Sequence, residues 1–260
     1  MEEEKNMSFL DHLEELRWRL VRSSVAIVLF AVVIFIFREW LMENVFLTLK
    51  DTDFPTYALL CSWFGICVDE ISLNVQNINM SGQFSLTLMI SIVGGIVCAF
   101  PYIFWEMWGF VKPGLRQNEA QMVRGITFFV SVLFFLGILF GYYIIAPLTV
   151  QFFGNWKLSE DISNNITIAS FLTTIVSTVF YTGLLFLLPV VIYVFSKLGI
   201  MTPSFLRKYR RHAIVIVLIL AAIITPPDFI SQIIVAVPIL ILYEVGILIS
   251  ARVEKNRTKL

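Results

Sequence analysis

Charged and polar side chains are sparse in this chain, and the few that stand near apolar segments carry its chemistry. In the segment Ser8-Phe9-Leu10-Asp11-His12-Leu13-Glu14-Glu15-Leu16-Arg17-Trp18-Arg19-Leu20, Glu15 and Arg19 are four residues apart. On a helix they share a face and can pair, which on an exposed surface stabilises by only about 0.2–0.5 kcal/mol. Glu119 follows Arg116 and precedes Arg124 in a polar link, where it reads equally as a solvated acid. Asp228 comes directly after Thr225-Pro226-Pro227, with Gln232 about one helical turn further on. Asp228 suits the N-terminus of a helix, where a carboxylate meets free N–H groups. Intramembrane polar groups are costly to bury and usually serve function. Other chemistries find no residues here: His12 and His212 are the only histidines and belong to no HExxH or CxxC pattern, and no P-loop occurs. The spans hold no nucleophile with a base and no paired aspartates, so neither an enzyme nor a metal or cofactor site is expected.

The elements that must position these residues are membrane helices. Of 260 residues, 58% are hydrophobic and 15% charged, and the mean hydropathy is +0.84, far more apolar than a soluble domain. A span needs about 20 apolar residues to cross roughly 30 Å of hydrocarbon. Spans are expected at about 20–37, 84–108, 123–148 and 168–195, each bounded by charged or turn residues. The last apolar stretch is broken by Pro226-Pro227, giving two more at about 213–225 and 230–250, with the fifth and sixth helices short. The fold class is therefore all-α: a polytopic membrane protein of six transmembrane helices in a single domain, 1–260. Ser8 three residues before Asp11 has capping-box spacing, so an amphipathic helix is expected over about 8–19. Phe9, Leu13, Leu16 and Leu20 form its apolar stripe, and Asp11, His12, Glu15 and Arg19 another face; such a helix lies along the membrane before entering it.

Lys and Arg are retained in cytoplasmic loops. With six spans, all of the 19 except Arg38, Lys50 and Lys157 fall on one side, so both termini are expected to be cytoplasmic. The N-terminus carries no cleavable-signal pattern, and the first span is expected to remain as an anchor. Zero formal net charge gives no reason to expect a nucleic-acid partner. The outer loop from Arg38 to Gln83 contains Cys61 and Cys67, either a disulfide or two small apolar residues of a loop helix. Cys98, in the second span, is expected to be packed.

The segment Phe9 to Leu20 is similar to the N-terminal signature of the TatC family, the signal-peptide receptors of the twin-arginine protein translocase. Trp108-Gly109-Phe110-Val111-Lys112-Pro113-Gly114-Leu115 with Glu119, the run Tyr142 to Leu148, Thr225-Pro226-Pro227-Asp228 with Ser231-Gln232, and Tyr243-Glu244 with Gly246 follow in the family's order. The resemblance implies a cupped, N-in/C-in protein of the cell inner membrane, surrounded by lipid. It implies an oligomeric core subunit that binds twin-arginine signal peptides at the cytoplasmic face. With TatA- and TatB-type single-span subunits it would move folded precursor proteins across the membrane, using the proton-motive force. Glu15 and Glu119 match signal-binding positions, with Arg17 and His12 beside them. Asp228, Gln232, Pro113 and Phe110 match positions of translocation or partner contact. The physical logic agrees: adjacent arginines of an extended peptide point to opposite sides, so carboxylates on two elements are needed, each able to make paired hydrogen bonds with a guanidinium.

One departure stands out. Many family members carry a glutamate where this chain has Leu187, ahead of Pro189, so a mechanism needing an acid at that depth would rely on Asp228 or Gln232. Glu106 and Glu244 lie near cytoplasmic span ends and rank lower as sites. Pro101, Pro147, Pro189 and Pro238 invite kinks consistent with a concave wall. A secondary transporter of a small solute is the rival reading, and it would favour repeated halves, which the sequence does not display. The charge count makes one checkable statement. After reduction, an impermeant thiol reagent on intact cells should label Cys61 and Cys67; accessible thiols that label only after lysis would reverse the topology.

Overall fold

The computed structural model describes residues 9–51, 53–64, 74–111, 123–159, 165–225 and 229–257. It divides into two compact units, Met1–Arg38 with Thr87–Val132, and Glu39–Leu86 with Leu133–Leu260. The helices are α1 (Phe9–Ile36), α2 (Arg38–Leu41), α3 (Pro55–Phe64), α4 (Gly82–Val111), α5 (Val123–Phe140), α6 (Ala146–Asn155), α7 (Ile168–Leu185), α8 (Leu188–Lys197), α9 (Pro203–Lys208), α10 (Arg210–Ile224) and α11 (Phe229–Arg257). A single-turn π segment, Gly141–Ile145, joins α5 to α6. Among the described residues, five stretches are long and apolar enough to cross a membrane: His12–Ile36, Gly82–Phe110, Gly125–Asn155, Ile168–Lys197 and Ser231–Lys255.

Several boundaries differ from those expected. The amphipathic segment and the first span form one unbroken 28-residue helix, because no Gly or Pro separates them and straight-chain Glu, Arg and Leu favour helix. The sixth helix is not short: α11 has 29 residues, contains Pro238 without a break, and runs on through Val253-Glu254-Lys255. The fifth is short, since α10 has 15 residues. It starts at Arg210 rather than Ala213, and at 1.5 Å per residue rises about 22 Å, less than a hydrocarbon core of about 30 Å. A two-stranded parallel ribbon, β1 (Asn74–Gln76) on β2 (Asn165–Thr167), was not foreseen. Three-residue strands are too short to show alternation. Cys98 is free and exposed rather than packed. Cys61 is disulfide-bonded, and Cys67 lies outside the described residues.

In the first unit α1 and α4 cross closely. A Cβ on Gly95 would lie 2.7 Å from the Ile27 carbonyl oxygen and 2.9 Å from the Ala31 nitrogen, a backbone approach only glycine allows. The second unit is held by apolar layers and polar ties. Ile145, Val217, Ala221, Val235, Ala236 and Ile239 make one buried cluster. Ile192, Leu206, Tyr243 and Ile247 make another. Proline effects are local here. Pro147 has no N–H for the carbonyl of Tyr143, four residues back, and the Thr56 hydroxyl of α3 donates to that carbonyl instead. Pro189 likewise separates α7 from α8 at Phe186-Leu187.

Replacing Gly95 by Ala should drive α1 away from α4 and destabilise by about 1–3 kcal/mol. Gly125, with no atom near its would-be Cβ, should accept Ala without loss. Thermal unfolding in detergent compares them, and equal melting of the two variants would contradict the close crossing.

Candidate functional site

The polar residues of α1 converge on α4. Leu13 and Leu20, of the apolar stripe, are 45% and 49% exposed, while His12, Glu15 and Arg19 are half-buried. This part of α1 therefore turns His12, Glu15 and Arg19 inward, while Glu14, Arg17 and Arg22 stay exposed alongside Leu13 and Leu20. Glu106 of α4 is the reason: its side chain is 2% exposed, and an ionised carboxylate so placed must be paired and hydrogen-bonded. Tyr102 donates to its Oε1 at 3.0 Å. Arg19 Nη1 donates to its backbone oxygen at 3.0 Å and lies 3.4 Å from Oε2. Arg22 Nη1 is 3.8 Å from Oε1, on a side chain 60% exposed.

Arg19 also reaches Glu15. Its Nε and Nη2 both donate to Glu15 Oε1, at 3.0 and 2.5 Å. The intrahelical pair read from the sequence is present, but as one half of a two-carboxylate clamp on a single guanidinium. Among the described residues, Glu15 Oε2 is buried and has no hydrogen-bond partner. Gly109 is bare where the guanidinium sits, and a Cβ there would collide with Arg19 Nη1. His12 stacks on Phe110, ring centroids 4.2 Å apart at 16°, worth about 0.5–1.5 kcal/mol beyond area burial. Arg17 stands apart, paired at 3.3 Å with Glu14 on the exposed side.

The structure thus brings together Glu15, His12 and Phe110, with Arg17 on the exposed side of the same helix. Glu119, Pro113 and Asp228 lie outside the described residues. Gln232, expected at a translocation or partner contact, donates to the Leu218 carbonyl at 3.0 Å, joining α11 to α10. The Tyr243-Glu244-x-Gly246 element is occupied in packing. Tyr243 donates to the Leu206 carbonyl at 2.8 Å, Glu244 pairs with Arg210 at 2.7 Å, and Gly246 leaves room for Ile192. Leu187 sits at the α7–α8 break. Elsewhere in the second unit, a cavity of about 460 Å³ is lined by Thr149, Phe153, Trp156, Ser170 and neighbours, none titratable. Tyr57 of α3, 2% exposed, has its hydroxyl 2.9 Å from the Pro147 oxygen, and burial raises its pKa above the usual tyrosine value. Glu106 ranked low in the sequence because Arg19, which makes two of its contacts, lies 87 positions away. The signal that could have raised it is an acid four residues after a tyrosine in an apolar segment.

Comparison with known proteins decides the family. The model of the family described as Sec-independent protein translocase protein (TatC) matches residues 11–238. The chain belongs to the TatC family. The TatC protein of Blattabacterium sp. subsp. Periplaneta americana (strain BPLAN) is 35% identical, covering 99% of this chain and 100% of its own. The TatCy protein of Bacillus subtilis (strain 168) is 33% identical over 97% and 92%. A crystal structure of the twin-arginine translocase receptor TatC in DDM superposes with a TM-score of 0.72 at 28% identity, covering 91% of this chain and 98% of that one. As a TatC-family member the chain is a multi-pass membrane protein of protein translocation.

Replacing Arg19 by Met keeps length but strands Glu106 with Tyr102 and Arg22 alone, at a cost of about 1–3 kcal/mol. Adding Glu106→Gln should recover much of it. Chemical unfolding of both variants checks this, and an Arg19→Met protein as stable as the parent would show that the clamp holds nothing.

Proposed function

We propose that this chain is the core receptor subunit of a twin-arginine translocase, binding twin-arginine signal peptides at the cytoplasmic face. The observation that carries this reading is the half-open carboxylate of Glu15, one oxygen held by Arg19 and the other buried without a donor among the described residues. A guanidinium is the donor that fits it, through a charge-assisted bond. Glu119 takes the second arginine from the link after α4, and His12 and Arg17 border the site. Solved relatives described as twin-arginine translocase receptors support the assignment. Both termini are cytoplasmic, following the distribution of Lys and Arg, and α10 is the fifth of six crossings, in a locally thinned bilayer. Phe110 and Pro113, with Asp228 and Gln232, serve translocation or contact with TatA- and TatB-type single-span subunits, and the proton-motive force drives transport of folded precursors.

Removing either carboxylate should weaken peptide binding by on the order of 1.5–3 kcal/mol, about one to two decades in affinity, and salt should weaken the parent's binding too. Titration of Glu15→Gln and Glu119→Gln proteins with a fluorescent twin-arginine peptide measures it. If both bind as tightly as the parent, and a twin-lysine peptide does equally well, the reading is wrong.

A further inference from the structure

We infer that Glu106 is a positioning residue for signal-peptide recognition: its buried charge offsets Arg19, so that Glu15 can accept a second guanidinium. This rests on the receptor reading of Glu15 and adds a residue to it. The difficulty it resolves is electrostatic. A carboxylate already holding one arginine at 2.5 Å is a poor acceptor for another, because the incoming cation meets a positive charge a few ångströms away.

The geometry supplies the remedy. Arg19 is fastened on its far side by Glu106, through Nη1 to the backbone oxygen at 3.0 Å and to Oε2 at 3.4 Å. Its Nε and Nη2 crowd onto Oε1 of Glu15 alone. Oε2 of Glu15 is left buried and, among the described residues, without a partner, an arrangement that costs free energy unless a donor arrives. The charges of Glu15, Glu106, Arg19 and Arg22 sum to zero, so an arriving guanidinium is not repelled by the cluster as a whole. Arg22 is 60% exposed, and its share is largely screened by solvent. The other nearby ion pair, Arg17 with Glu14, is exposed and self-neutral. Gly109 completes the device by leaving the space that Arg19's guanidinium occupies.

The test uses the full chain in detergent and a synthetic twin-arginine signal peptide, with affinity read by fluorescence anisotropy. Glu106→Gln, which keeps an acceptor oxygen and nearly the same volume, should weaken binding about tenfold, the scale of one added positive charge at close, partly screened range. Combining it with Arg19→Gln returns the cluster to zero charge and should restore affinity to within about threefold of the parent, which a purely structural role of Glu106 would not do. Arg19→Gln alone makes the cluster negative and should tighten binding, and it decides the matter if Glu106→Gln does not fold. Parent-like affinity of Glu106→Gln, no recovery in the double variant, or weaker binding by Arg19→Gln would each overturn the inference. The receptor reading is judged separately: if Glu15→Gln also binds like the parent, that reading falls and takes this one with it. If Glu15→Gln loses affinity while Glu106→Gln does not, only the role of Glu106 is lost.

Discussion

Inside hydrocarbon no polar group can turn to water, so each carbonyl and carboxylate must find its donor within the protein. That single constraint arranges most of what is seen here. In the first unit it acts through Glu106, whose carboxylate recruits Tyr102, Arg19 and Arg22. To meet it, α1 presents its polar face to α4, and Gly95 and Gly109 must be glycine to admit a backbone and a guanidinium respectively. The exposed apolar residues along α1, such as Val28, Leu29 and Val32, suit the same demand, since lipid accepts them.

In the second unit, the exposed Arg210–Glu244 pair apart, the helices are tied by neutral side chains. Lipid tails are as apolar as leucine, so apolar contact alone discriminates weakly between helix partners, and hydrogen bonds add direction. Gln232 ties α11 to α10, Thr178 donates from α7 to the Ile224 carbonyl at 3.3 Å, Ser196 meets Ser250 at 2.8 Å between α8 and α11, and Tyr243 reaches back to α9. Residues that a motif marks out can thus be explained by helix pairing. For Gln232 and Tyr243 a role toward partners is additional to a bond they already make.

Local and compositional features were legible in the chain itself. Apolar run length located the five long helices, the Pro-Pro pair located the end of α10, and the order of motifs pointed to the TatC family later supported by the match over residues 11–238. What escaped was set by partners distant in sequence. Glu106 looked like an acid snorkelling at a span end, because nothing in its neighbourhood reveals Arg19. The inward-facing polar side of α1 escaped because periodicity gives a helix two faces without saying which one meets protein. The continuity of α1 and α11 escaped for another reason: the expected boundaries followed hydropathy, whereas helix propensity carries on through Glu, Lys and Arg.

The Thr56 hydroxyl of α3 donates to the Tyr143 carbonyl, the acceptor that Pro147, four residues on, has no N–H to serve. The two positions are therefore one evolutionary unit, and the order in which they change matters. A lineage that loses Pro147 first regains the backbone bond and can then discard Thr56 at little cost. Losing Thr56 first leaves that carbonyl bare, at a cost of about 1–3 kcal/mol. The helix α3 is thus tied down beside Pro147 by both Thr56 and Tyr57, at the place where the neighbouring helix cannot close its own ladder.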